Sequence, residues 1–138
     1  MTRKNEWDIV VVGGAYTDFM VRGSRLPKPG ETVQGNVFKE LPGGKGANQA
    51  VAAARLGGRV AMVTKVGSDQ RGDTIVNTFA DEGVNTHYIV RDKSEPTGAS
   101  LIQVEEKGQK QMLIWTDPKC NCGAYHDKAW CSTSLTTT

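Results

Sequence analysis

The sequence predicts an α/β layered fold, and three features carry that expectation. Ile9-Val10-Val11-Val12 is a continuous β-branched run closed by Gly13-Gly14, and Val60-Ala61-Met62-Val63 is a second apolar run. Segments with a 3.6-residue period follow Gly46 and Asp69. Strands alternating with helices in this way build a parallel sheet covered by helices.

In chain order, Ile9-Val12 lacks polar alternation and so predicts a strand buried on both faces. Leu26-Pro27-Lys28-Pro29-Gly30 is a turn cluster, and Thr32 to Leu41 alternates in polarity as a half-exposed antiparallel strand does. From Gly46, Ala47, Ala50, Val51 and Ala54 fall at i, i+3, i+4 and i+7, with Gly57-Gly58 as the stop. Built from small residues, this helix can lie close to a sheet. Val60-Val63 predicts a second buried strand ending near Val66-Gly67. Asp69 to Glu82 predicts a second helix, with Ile75, Val76, Phe79 and Ala80 as its apolar stripe and Gly83 as its stop. Tyr88-Val90, Gly98-Val104 and Met112-Trp115 are further strand candidates, the last two joined by a hairpin turn at Glu106-Lys107-Gly108-Gln109.

Composition narrows the function classes. A chain of 138 residues suffices for one domain. With 23% charged residues and a net charge of +2, it has neither the composition of a disordered chain nor the basic excess of a nucleic-acid-binding surface. No apolar stretch approaches the ~18 residues of a membrane span, and Met1 to Asp8 lacks a signal-peptide core. The expectation is a cytoplasmic protein without membrane or nucleic-acid partners. From Asp117 the periodic grammar stops. All three cysteines lie there, and residues 116–138 are expected to be a disordered tail. Cys120, Cys122, His126 and Cys131 form the donor set of a small zinc knuckle. The one-residue gap between the first two is tighter than the usual two to four, so unconnected cysteines are the simpler reading.

The most informative stretch is Leu41-Pro42-Gly43-Gly44-Lys45-Gly46-Ala47-Asn48-Gln49-Ala50. Three glycines surround a lysine where a helix begins, and helix N-termini carry unpaired amides and partial positive charge. A lysine there is unfavourable by about 0.3–1 kcal/mol unless an anion or a strong acceptor is near, which points to a ligand or a carboxylate. The stretch is not a Walker A loop, since that frame would run from Lys39 to Gly46 and fail at both ends. The plainer reading is a tight strand-to-helix turn with Lys45 solvated.

Set in context, these residues carry a resemblance. Gly43-Gly44-Lys45-Gly46-Ala47-Asn48-Gln49-Ala50 is followed by Ala53, by Arg55-Leu56-Gly57 and by Val66-Gly67-x-Asp69-x-x-Gly72. Upstream stand Val12-Gly13-x-x-x-x-Asp18 and Leu26-Pro27-x-Pro29-Gly30-Glu31-Thr32; downstream stand Thr97-Gly98-Ala99 and Gly108-Gln109. In this order the motifs resemble the ribokinase-like (PfkB) carbohydrate kinases over about residues 8–115. The resemblance implies the amino-terminal part of a three-layer α/β/α fold with a small β-sheet lid, drawn from about 18–41 and 98–115. It implies sugar binding by Asp18, Gly43, Gly44, Lys45 and Asn48, with Ser100 and Met112 packing on the sugar from the lid. The reaction implied is transfer of the ATP γ-phosphoryl group to the 5-hydroxyl of ribose, with Mg²⁺ and K⁺, and a homodimer through the lid is the implied assembly.

Two departures qualify this. Many members carry Asn two residues before the aspartate, where this chain has Tyr16. After Trp115 the family's further βα units are replaced by Thr116-Asp117-Pro118-Lys119-Cys120, and the late aspartate signature that supplies the catalytic base is absent. The carboxyl half is therefore expected to be missing, no catalytic residue is assigned, and the chain is expected to be inactive as a kinase. The alternative is a non-catalytic sugar-binding or dimerisation module.

Overall fold

A computed structural model of the chain describes residues 6–116. The expected disordered tail, with Cys120, Cys122, His126 and Cys131, lies outside the described residues.

Two sheets are built in succession and interleaved. β1 (Ile9–Val12), β4 (Val60–Gly67) and β5 (Ile89–Asp92) form a parallel sheet in the order β1-β4-β5. β2 (Tyr16–Gly23), β3 (Gly35–Gly43), β6 (Ala99–Glu105) and β7 (Lys110–Trp115) form a mixed sheet in the order β3-β2-β6-β7. β3 is antiparallel to β2, as expected, but is exposed along most of its length rather than on one face, whereas β6 runs parallel to β2. Two helices, α1 (Lys45–Arg55) and α2 (Gln70–Asp81), pack on one face of the parallel sheet.

Those helices set the core. Ala47 and Ala50 of α1 and Ile75 and Phe79 of α2 pack on Val11, Val60, Met62 and Val66. The small side chains of α1 let it lie close to β1 and β4, as their spacing predicts. Gly57 and Gly83 follow the helices at φ 89° and 75°, the left-handed geometry that ends them. The hairpin after β6 turns at Gly108, φ 88°, closed by Glu105 N–H donating to the Gln109 carbonyl at 2.9 Å. The turn cluster between β2 and β3 is held by Glu31. Its carboxylate accepts from the Arg25 guanidinium and from the Lys28 amide (2.9 Å), which lowers its pKa to about 2.

One expectation fails at β1. A strand buried on both faces was predicted, yet Val10 is 55% and Val12 50% exposed, while Val11 is buried. Val11 faces the helices; Val10 and Val12 face the other way. The register pairs them with Ala61 and Val63 on that opposite face. Ala61 of the central strand is nonetheless fully buried on that face, so the exposure is concentrated on the edge strand β1. Strand limits shift too: β3 starts at Gly35 rather than Thr32, and β5 runs two residues past Val90.

Candidate functional site

The chain crosses between its sheets at three places: residues 13–15, Gly44, and residues 93–98. The first two crossings meet. A Cβ on Gly46 would stand 2.9 Å from the Gly13 backbone, and one on Gly44 would stand 2.6 Å from the Gly14 carbonyl oxygen. Gly44 is also the residue before α1, at φ 105°, where any side chain would be strained. The glycines thus bring the start of α1 against the end of β1, and Ala47 N–H donates to the Gly14 carbonyl at 3.3 Å. The amides of Lys45 and Gly46, in the first turn, have no carbonyl one turn behind them within the helix.

Asp18 comes to the same place from β2. Its carboxylate lies directly over Gly43, where a Cβ has no room. Ser100, two residues into β6, pairs with Asp18 in register; its buried hydroxyl donates to Asp18 Oδ1. Asp18, Ser100, Gly43 and Gly44 are therefore brought together at the start of α1. Lys45 and Asn48 have exposed side chains on the first turn of that helix, with the Asn48 backbone N–H donating to the Gly44 carbonyl at 2.9 Å. Met112 is farther along the lid. It pairs with Ile102, which pairs with Met20, so it shares the sheet face of Asp18 but stands one pair of positions away, 46% exposed. Leu41, Met20, Ile102 and Ile114 lie on the same face by alternation. A carboxylate and a hydroxyl beside bare helix amides, flanked by an apolar sheet face, make a surface for a small polyol: acceptors and donors for hydroxyls, carbon for carbon.

The third crossing holds residues that sequence reasoning left without a role. Asp69 precedes α2 and accepts at Oδ1 from Gly72 N–H (2.8 Å) and the Thr97 hydroxyl (2.6 Å), and at Oδ2 from Thr97 N–H (2.9 Å). Thr97 Oγ1 in turn accepts from Gly67 N–H at 3.0 Å. Burial opposes ionisation of Asp69, but the hydrogen bonds from Thr97 and Gly72 and the charge of Arg71 outweigh it and lower its pKa. One carboxylate thus caps α2, pins the end of β4 through Thr97, and fixes the entry to β6. The Asp69-x-x-Gly72 spacing, an N-cap with its third amide, was the available signal. A neighbouring knot of Asp92 with Lys65 and Ser94 holds residues 92–95.

A hollow of about 600 Å³ lies between α2 and the back of the mixed sheet, lined by Thr17, Glu40, Pro42, Asp69, Arg71 and Thr74 among others. It opens on the face opposite Asp18 and contains none of the expected sugar contacts. Among the described residues, no three His, Cys, Asp or Glu side chains gather as metal ligands.

The fold, the glycine-framed helix start and their order along the chain define a class, and comparison with known proteins agrees. Residues 7–122 match the family model described as pfkB family carbohydrate kinase, and the chain belongs to that family. Among particular relatives, it is 46% identical over 107 residues to the ribokinase of Bacillus subtilis, covering 78% of this chain and 36% of that protein. To the ribokinase of Haemophilus influenzae it is 42% identical over 106 residues, 77% of this chain and 35% of the relative. The structure of Arabidopsis thaliana ribokinase complexed with ribose and ATP superposes with a TM-score of 0.68 at 38% identity, over 78% of this chain and 35% of that one. The chain spans about a third of the length of these relatives.

Proposed function

We propose that this chain carries the sugar-recognition part of a ribokinase-type kinase, in which D-ribose is bound between the start of α1 and the lid formed by β2, β3, β6 and β7. The supporting observation is the Asp18 carboxylate, held by Ser100 and laid over Gly43 beside the first turn of α1. In this reading Asp18 accepts hydrogen bonds from two sugar hydroxyls, and Ser100 keeps its carboxylate in place. Lys45 and the Asn48 side-chain amide donate to further hydroxyls, Gly43 and Gly44 let the sugar approach the backbone, and Met112 packs on its carbon face. The reaction served by the whole kinase is ATP + D-ribose giving ribose 5-phosphate and ADP in the cytoplasm, with Mg²⁺ and K⁺. The described residues supply orientation of the acceptor and exclusion of water, which would otherwise attack ATP.

Titration calorimetry with D-ribose tests this. Heat from the wild-type chain and none from Asp18→Ala supports it; equal heat from both refutes the assignment. The 138-residue chain is expected to show no ribose-dependent ATP turnover, and turnover by the pure chain would refute that.

A second reading, association through the lid, is favoured by the back face of the mixed sheet. There Phe38, Leu101 and Leu113 are 63%, 56% and 71% exposed. In that case sedimentation gives a dimer that Leu113→Glu dissociates.

A further inference from the structure

The strands that carry Asp18 and Ser100 are both rooted on β4. Ahead of β2, Gly13 N–H donates to the Val63 carbonyl at 3.2 Å. Ahead of β6, Thr97 Oγ1 accepts from Gly67 N–H at 3.0 Å. Val63 and Gly67 stand four residues apart on one strand, so β4 spaces the two roots. Thr97 is wedged as well as bonded. It is 1% exposed, a Cβ on Gly67 would stand 2.5 Å from its nitrogen, and one on Gly72 would stand 3.0 Å from its hydroxyl oxygen. Its hydroxyl donates to Asp69 Oδ1 and its N–H to Asp69 Oδ2, at 2.6 and 2.9 Å. Beyond it the Gly98 carbonyl accepts from Thr17 N–H, and the ladder runs on through Thr17–Ala99 to Asp18–Ser100. Ser100 is only three residues from Thr97, a stretch of at most about 11 Å. So short a length of strand carries a shift at its root through to its end. A slip of one residue would turn the Ser100 hydroxyl to the face opposite Asp18.

We propose that Thr97, held by Asp69, is a positioning residue for the sugar site: by fixing the root of β6 it sets the Ser100 hydroxyl opposite the Asp18 carboxylate. This rests on the reading of Asp18 as the sugar-binding carboxylate. With Oδ1 engaged by Ser100, Oδ2 is the oxygen that lies nearest Gly43. Neither Thr97 nor Asp69 bonds to Asp18 or Ser100, so the effect travels along β6. When the root of β6 is loosened, the carboxylate loses its tether and must be ordered by the ligand instead, at the expense of affinity.

Calorimetry with D-ribose on the full 138-residue chain decides it. Thr97→Val, which keeps the shape and removes the hydroxyl, is expected to weaken binding by roughly tenfold. Thr97→Ser, which restores the hydroxyl, should bind as wild type does. Ser100→Ala should weaken binding by a similar factor, and adding Thr97→Val to it should weaken binding no further, because both act through one hydrogen bond. Phe79→Leu trims the core away from this root and should lower the melting temperature while leaving affinity unchanged. Wild-type affinity in a folded Thr97→Val, full additivity with Ser100→Ala, or a matching loss in Phe79→Leu overturns the proposal. Should Thr97→Val not fold, Asp69→Asn reads the same link: it keeps the oxygen that caps α2 but can set an amide donor against Thr97 N–H. Affinity falls if the link is real and is unchanged if it is not. Asp18→Ala separates the two readings. If ribose binds wild type and Asp18→Ala alike, or binds neither, the underlying assignment fails and this proposal with it. If Asp18→Ala loses binding while the Thr97 and Asp69 variants keep it, the assignment stands alone.

Discussion

Asp69 shows what a single side chain does in this molecule. Its two oxygens accept three hydrogen bonds, from the first turn of α2 and from the amide and hydroxyl of Thr97. Removing it uncaps a helix and strands the hydroxyl of Thr97, which is 1% exposed. Asp69→Ala is therefore expected to lower the unfolding free energy by about 2 kcal/mol, measured by urea denaturation. The sign of its pH dependence follows from the lowered pKa. The stabilisation is fully present above the ordinary aspartate value of 3.8 and is lost as pH falls through the lowered folded-state value. Wild type should lose thermal stability below pH 4 faster than Asp69→Asn, which has no carboxylate to protonate; parallel melting curves would contradict this. By contrast, Arg55 with Glu82 and Arg59 with Asp8 are exposed pairs whose contribution is small.

At the scale of the element, α1 is the helix with a conflict. It has no side-chain cap and no acid in its first turn, and a lysine opens it. Lys45→Glu is expected to raise the melting temperature slightly, consistent with about 0.5 kcal/mol from the helix dipole, while abolishing ribose heat. A loss of stability would show that Lys45 has a structural role instead. The two helices, their glycine stops and the last hairpin were legible in the sequence because each follows from local spacing. The limits of β3 and β5 were less so, since pairing with a neighbouring strand decides where a strand begins. The approach of Asp18, Ser100 and Gly43 was legible only as a list of residues. It depends on β2 pairing with β6 across 82 positions, and no local period encodes that register. The Asp69 and Thr97 knot escaped notice for the same reason, although the cap spacing was in view.

For the molecule as a whole, the decisive feature is the exposed outer face of β1. Val10 and Val12 are half exposed and share their face with Val90, 37% exposed, on the opposite edge strand; among the described residues β1 and β5 are open edges. Short β-branched runs are read as strands buried on both faces because their composition suits that setting. Composition does not say whether a second layer is present to do the burying. An apolar face next to unpaired edges favours association. The chain is expected to sediment as a concentration-dependent mixture of species, and Val12→Lys to shift it toward monomer; a sharp monomeric boundary for wild type would refute this.

The parallel pairing of β2 with β6 also sets a timetable. On a ribosome extending the chain at ~5–20 residues per second, Ser100 follows Asp18 by on the order of ten seconds. Through that interval β1, β4 and both helices can collapse together, while β2 and β3 wait as a two-stranded ribbon. The hydroxyl that steadies the Asp18 carboxylate arrives after both helices, so the pocket is finished after its foundation.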